Sequence, residues 1–243
     1  MEDRYYDAFT RALTSSLEAR GGVLGLVAVG SMAEGHDAWS DHDFFVITEH
    51  GLQEELRTDL SWLPHRERVV LAYRETDHGL QVVYDDGHLL EFAVFDLEEL
   101  ALAGINRRRV LFDRGGVHER VEEVAAATPT RRAPSDEQHF AKLVTLVLVA
   151  TGRQRRGESL SALQLTGLAR ERLLALLARV RPDPRIDGLD PHRRFDLVHP
   201  ALAADLAVAD ALDLLAIAER ELRDVRPGLP WQVVDVVRAR YSP

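Results

Sequence analysis

The chain has 243 residues, of which 46% are hydrophobic and 29% charged, the balance of an ordinary globular protein with one large domain or two small ones. It contains no cysteine, which excludes disulfides and thiolate metal sites, so a metal ion would need oxygen or imidazole ligands. Thirty Lys and Arg residues against forty Asp and Glu residues give a formal charge of -10, which disfavours a nucleic-acid-binding protein because such a surface repels polyanions.

The N-terminal sequence has no features of a targeting segment. Residues 1–6 lack the basic and apolar regions of a secretory signal peptide. The longest aliphatic run, residues 143–150, is too short to span a bilayer. We therefore expect a cytoplasmic protein without a membrane partner.

The N-terminal half is predicted to form a mixed sheet flanked by helices. Residues 4–20 place Tyr6, Phe9, Leu13 and Leu17 on one stripe of an amphipathic helix. Apolar and alternating patterns predict strands over 22–29, 41–48, 68–74, 80–84, 88–95 and 110–112. Further helices are expected over 53–62 and 117–126, and Asp85-Asp86-Gly87 is a good hairpin turn.

A segment with two prolines, residues 128–134, interrupts both periodicities and is predicted to be a linker. It would separate domain 1–133 from domain 134–243. In the second domain, Ser135 and Gln138 form a capping-box pattern at the start of a helix. Later helices are predicted over 159–181, 201–206, 209–223 and 231–240. The expected fold class is α+β, a mixed sheet flanked by helices and followed by an all-helical bundle.

The most specific motif joins the first two strands. Gly30-Ser31 follows the first strand, where backbone N–H groups and a hydroxyl at a helix start can hold a phosphate. Asp41 and Asp43 begin the second strand and project from one face, roughly 6.5 Å apart along the backbone. Mg²⁺ prefers oxygen ligands and usually keeps substrate phosphates in its shell. The motif therefore predicts a metal site for a phosphate-bearing substrate.

This combination resembles the nucleotidyltransferase superfamily of polymerase-beta-like fold, whose signature is Gly-Ser at a helix start and then Asp-x-Asp on the next strand. The Ala33-x-Gly35 spacing, the Trp39-Ser40-Asp41-x-Asp43 wording and the helical C-terminal half are most similar to antibiotic-modifying adenylyltransferases of the aminoglycoside and lincosamide types. Residues 22–48 carry the resemblance, and Glu34 departs from it, since many relatives have arginine there.

A third carboxylate is predicted in the strand over residues 88–95. Glu91 is the one charged residue of the run Leu89 to Phe95, and a buried carboxylate needs a cation, hydrogen bonds or an edge position. Glu91 would either complete the metal site or take a proton, and the alternative is a glutamate that points to solvent from an edge strand. In the related adenylyltransferases the matching glutamate is the general base, and the resemblance implies that role for Glu91.

Lys142 is the only lysine of the chain. It lies off the apolar stripe of its predicted helix and shares a polar seam with His139 and Thr145. Relatives use a basic residue of the helical domain to contact the nucleotide phosphates, so the resemblance makes Lys142 the candidate for this contact. A surface lysine without that contact is the alternative.

The motifs and the resemblance together predict an enzyme that transfers a nucleoside monophosphate to a hydroxyl of a small acceptor and releases pyrophosphate. The favoured reaction is the transfer of AMP from ATP. The acceptor would be an aminoglycoside-like or lincosamide-like molecule. The negative charge of the protein would attract a polycation, and the alternative is an acidic surface that serves only solubility. The residues expected to hold one or two Mg²⁺ ions or to contact the nucleoside triphosphate are Asp41, Asp43, Glu91, Gly30, Ser31 and Lys142. The alternatives are adenylylation of a protein and a non-catalytic relative that binds a nucleotide or a partner protein.

Overall fold

The computed structural model of the chain describes residues 3–34, 41–127, 134–186 and 190–241, without the side chains of Asp3, Arg4, Ser31 and Glu34. The chain divides into two compact units, Met1–Arg131 and Arg132–Pro243. The first unit contains a mixed sheet with helices and the second is helical. This arrangement confirms the predicted α+β fold class.

The elements of the first unit follow the predicted strands and helices closely. In chain order they are α1 (Asp3–Glu18), β1 (Val23–Val29), α2 (Ser31–Glu34), β2 (His42–Thr48), α3 (Gln53–Thr58), β3 (Val69–Arg74), β4 (Gly79–Tyr84), β5 (Leu89–Asp96), β6 (Arg108–Asp113) and α4 (Val117–Ala127). Short 3-10 turns at Arg66–Arg68 and Glu99–Leu102 were not predicted.

Within the described residues, six strands form one sheet in the order β3-β4-β5-β2-β1-β6. The strands β2 and β5 are parallel, and the other neighbours are antiparallel. The hairpin between β4 and β5 closes where the Gly87 N–H donates to the Tyr84 carbonyl at 3.0 Å, with Gly87 at a φ of 82°. That left-handed backbone is readily adopted only by glycine, which explains the Asp-Asp-Gly sequence of the turn. The two strands β2 and β5 lie in the interior of the sheet.

Each face of the sheet packs on its own hydrophobic core, because successive strand residues point to opposite faces. One core contains the predicted α1 stripe and residues such as Leu56 of α3, packed on Leu26, Phe44 and Phe92. The other core packs α4 on the alternate strand residues, including Val27, Ile47 and Phe95. The sheet is therefore held rigidly between helices on both sides.

The helix α3 ends at Thr58, four residues before the predicted end. The chain turns there because the Asp59 carboxylate accepts a hydrogen bond from the Ser61 N–H at 3.0 Å. Trp62 then folds back, and its indole N–H donates to the Leu56 carbonyl at 3.1 Å. The apolar residues predicted to extend the helix are buried after the turn instead.

The second unit consists of helices around a single core. They are α5 (Asp136–Arg155), α6 (Ser159–Val180), α7 (Phe195–Val198), α8 (Pro200–Val208), α9 (Ala211–Leu222) and α10 (Gln232–Tyr241). The predicted capping box is confirmed, since the Ser135 hydroxyl accepts from the Gln138 N–H and the Gln138 side chain accepts from the Ser135 N–H. None of the helices in the described ranges has the length and apolarity that a bilayer crossing requires.

Candidate active site

Asp41 and Asp43 lie at the start of β2, and their side chains project from the face of the sheet opposite to that of the next residues along the chain, His42 and Phe44. His42 and Phe44, which alternate with them, are buried in a core at 0% and 1% exposure. The two aspartates are half-buried. The strand thus anchors itself through His42 and Phe44 and presents both carboxylates from the other face, as the two-residue period requires.

Glu91 is the direct neighbour of Asp43 on the adjacent strand. The parallel pairing of β2 with β5 aligns Asp43 with Glu91, and neighbouring strands are separated by about 4.8 Å. Leu90 and Phe92, on either side of Glu91, are buried in the core on the far face. Because β5 lies between β4 and β2, the alternative of a glutamate on an edge strand is wrong.

The three carboxylates converge closely enough to share one ion. One oxygen each from Asp41, Asp43 and Glu91 lies within 4.8 Å of the other two. In an octahedral Mg²⁺ site with bonds of about 2.1 Å, opposite ligands are separated by about 4.2 Å. Adjacent ligands of such a site are about 3.0 Å apart, and both separations lie within the 4.8 Å limit on the three oxygens, so the donor set fits a hard divalent cation.

The electrostatics of the cluster are unfavourable without a cation. Partial burial, followed by the negative charges of Asp41 and Glu75, raises the pKa of Glu91 above its ordinary value, and a hydrogen bond with Asp43 opposes that rise. Close carboxylates repel one another, and a bound cation removes that repulsion. The carboxylates therefore place negative charge at a position where a bound metal ion would neutralise it.

Two further polar residues belong to this face, and the sequence interpretation missed both. The Gln81 amide donates from Nε2 to Glu91 Oε1 at 2.5 Å, and the Tyr73 hydroxyl donates to Gln81 Oε1. The position of the Asp-Asp-Gly turn in the sequence could have identified Gln81 as the neighbour of Glu91. A hairpin centred on Asp86 pairs residues equally far from it on either side, which aligns Gln81 with Glu91.

A small cavity adjoins the carboxylates. Its volume is about 190 Å³, below the roughly 300–1,000 Å³ of typical small-molecule sites, so it accommodates only the reacting end of a substrate. It is lined by Val29, Asp43, Phe44, Phe45, Glu75, Gly79, Leu80, Glu91, Phe92 and Ala93. A larger cavity of about 810 Å³ lies within the helical unit and includes His139, Arg172 and Arg179.

Gly30 occupies the turn that leads from β1 into α2. Its φ of 60° is left-handed, a conformation that explains the glycine. The backbone of Ser31 begins α2, while the Ser31 side chain and residues 35–40 lie outside the described part of the chain. Phosphate binding by Gly30 and Ser31 stays a prediction.

Lys142 is exposed on α5, in the second unit. The predicted polar seam with His139 is wrong, because His139 is buried, with 6% exposure. An Arg179 N–H donates to His139 Nε2 at 3.3 Å, and burial, with Arg179 and Arg172 nearby, lowers the pKa of His139. A phosphate contact by Lys142 stays a prediction.

No protein-family model matches the sequence, and no curated protein matches it either. Several solved structures are similar to the chain, among them three of low sequence identity. An aminoglycoside 6-adenyltransferase from Bacillus subtilis is 11% identical, with a TM-score of 0.36 over 96% of this chain and 97% of its own. A nucleotidyltransferase-like protein from Exiguobacterium sibiricum is 15% identical, with a TM-score of 0.31 over 93% of this chain and 81% of its own.

The third structure is the CD-NTase CdnG from Bradyrhizobium diazoefficiens in complex with GTP, which is 15% identical, with a TM-score of 0.30 over 99% of this chain and 92% of its own. The likenesses are distant, and the functional proposal rests on the side chains of the site.

Proposed function

We propose that the protein is a metal-dependent nucleotidyltransferase that transfers a nucleoside monophosphate to a hydroxyl of a small molecule. The favoured reaction is the transfer of AMP from ATP. The observation that carries the proposal is the meeting of Asp41, Asp43 and Glu91 within 4.8 Å on one face of a rigid sheet. Three carboxylates this close repel one another, and the arrangement costs free energy unless they bind a cation or take up a proton. Nucleotidyl transfer uses both abilities.

Asp41 and Asp43 would hold one or two Mg²⁺ ions together with the triphosphate, and Glu91 would complete the set. A bound Mg²⁺ would supply neutralisation of the charge on the reacting phosphoryl group. The aspartates are suited to this task because the buried side chains of His42 and Phe44 anchor the start of β2, where both carboxylates lie. Such positioning contributes a large part of the rate in reactions of this kind.

Glu91 would accept the proton of the acceptor hydroxyl. The hydroxyl oxygen forms a bond to the α-phosphorus, the bond from the α-phosphorus to the bridging oxygen breaks, and pyrophosphate leaves with that electron pair. Its position suits Glu91 to this role, because its carboxylate lies beside the two aspartates and lines the adjoining cavity. The 190 Å³ cavity beside Glu91 offers space for the reacting end of the acceptor.

Gly30 and Ser31 would contact the β and γ phosphates, and Lys142 of the helical unit would supply a positive charge to them. The acceptor would be a small hydroxylated cation, aminoglycoside-like or lincosamide-like. The formal charge of -10 and the carboxylate of Glu75 at the cavity support a positively charged acceptor. ATP or another nucleoside triphosphate would be the co-substrate.

The proposal is tested by incubating the protein with ATP, Mg²⁺ and a panel of hydroxylated antibiotics while pyrophosphate is measured. Asp43→Asn should abolish release with an unchanged circular dichroism spectrum. Asp77→Asn is the matched control, because Asp77 is an exposed aspartate in the β3–β4 connection. An Asp43→Asn variant that still releases pyrophosphate at the wild-type rate would refute the assignment.

A further inference from the structure

A line of polar side chains crosses four neighbouring strands of the sheet at the candidate site. The registers align Tyr73 of β3 with Gln81 of β4, Gln81 with Glu91 of β5, and Glu91 with Asp43 of β2. Side chains of aligned residues share a face and are neighbours. Only Glu91 and Asp43 in this line belong to the carboxylate cluster, so the other two residues need a separate explanation.

The hydrogen bonds along the line have a fixed direction. An ionised carboxylate only accepts hydrogen bonds, so the Gln81 amide must turn its NH₂ group toward Glu91. Its carbonyl oxygen then points the other way and accepts from the Tyr73 hydroxyl. The 2.5 Å contact from Gln81 Nε2 occupies Glu91 Oε1 from the β4 side, and Asp43 lies on the β2 side.

We propose that Gln81, oriented by Tyr73, is a positioning residue that holds the Glu91 carboxylate toward the two aspartates. A free glutamate side chain explores several rotamers, and ordering it at the moment of metal binding would weaken the affinity. The Gln81 amide bonds Glu91 Oε1, so Glu91 Oε2 would be the oxygen offered to the shared ion. The inference rests on the proposed function, because it assigns this task within the same site.

The burial pattern of β4 is consistent with a functional role for Gln81 on the face of the sheet that carries the carboxylates. On β4, Leu80, Val82 and Tyr84 are buried in the core at 5%, 0% and 1% exposure, whereas Gln81 is only half-buried on the opposite face. The polar choice is explained by the carboxylate beside it, since partners outside the ligand shell usually orient metal ligands.

The test compares Gln81→Met, which keeps the length of the side chain and removes the amide, with the wild type. Mn²⁺ binding is measured by titration calorimetry, and turnover is measured with Mg²⁺ and ATP. We expect Gln81→Met to weaken Mn²⁺ binding about tenfold and to lower kcat about tenfold, with the KM for ATP changed less than about twofold. Tyr73→Phe should act in the same direction with a smaller effect.

Val83→Ala is the control for packing, since Val83 lies on the same strand and is also half-buried. If the Gln81–Glu91 pair only stabilises the hairpin, Gln81→Met and Val83→Ala will both lower the melting temperature with Mn²⁺ affinity unchanged, and the inference is overturned. A wild type that binds Mn²⁺ without releasing pyrophosphate would refute the proposed reaction alone, because the Mn²⁺ comparison still decides the role of Gln81. A wild type that does not bind Mn²⁺ would refute both.

Discussion

Replacing Glu91 by glutamine is expected to make the metal-free protein more stable, although it damages the site. The substitution removes one of three carboxylates whose oxygens lie within 4.8 Å of one another. It also fits the existing hydrogen bonds, because the new side chain can accept from Gln81 with its oxygen and donate to Asp43 with its amide. A site that gains stability when a carboxylate is lost is one built to hold a cation.

The size of the gain follows from Coulomb's law. The three oxygens lie at most 4.8 Å apart, and two unit charges at that upper limit repel by about 1 kcal/mol in water and by about 3.5 kcal/mol at an effective dielectric constant near 20. Glu91 is partly exposed, so solvent screens the repulsion and the lower part of this range applies. We expect Glu91→Gln to raise the free energy of unfolding by about 1–2 kcal/mol in metal-free buffer.

Urea unfolding of the wild type and Glu91→Gln, each with EDTA and with saturating Mg²⁺, measures this difference. Mg²⁺ should stabilise the wild type by binding the native state and should stabilise the variant much less. Glu67→Gln, a substitution of an exposed glutamate in the same unit, is the control and should change neither value. Equal stability of the wild type and Glu91→Gln in EDTA, or an equal response to Mg²⁺, would refute the repulsive-cluster explanation.

Two other predictions concern pH and helix capping. Burial lowers the pKa of His88 from 6.5 to about 4, so the unfolded chain binds the proton first as the pH falls. The contribution of His88 to the free energy of unfolding should therefore fall by about 2 kcal/mol between pH 7.5 and pH 5. Urea unfolding should show this loss in the wild type and a smaller one in His88→Gln, and equal losses would contradict the assignment. Ser135→Ala removes the cap of α5 and should cost about 1 kcal/mol in urea unfolding of the helical unit, whereas an unchanged value would show that the cap contributes nothing.

Local patterns were sufficient for most strands and helices, because each depends on residues close in sequence. The apolar run around Glu91 and the turn at Gly87 predicted β5 and its hairpin with β4. The parallel pairing of β2 with β5 could not be derived in the same way, since a crossover of more than forty residues separates Asp43 from Glu91. The sequence therefore predicted the three carboxylates, while the structure showed that they meet.

The errors also have local physical causes. The interpretation of Lys142 assumed that His139 shares its exposed face, but the α5 core is wide enough to bury His139 beside Arg179. Gln81 was missed because one polar residue in a strand has no signal of its own, and only its alignment with Glu91 gives it meaning. The pairing of the strands therefore identifies the residues of this site better than the amino-acid sequence of any single strand does.

The central claim is that Asp41, Asp43 and Glu91 support transfer of the α-phosphoryl group of a nucleotide. The direct measurement follows radioactive label from ATP into a hydroxylated acceptor, with the label at the α or at the γ phosphate. The account predicts that α label enters the acceptor with Mg²⁺, that γ label leaves as pyrophosphate, and that EDTA or Asp43→Asn stops both. Label that enters the acceptor from the γ position, or α transfer that persists in EDTA, would contradict it.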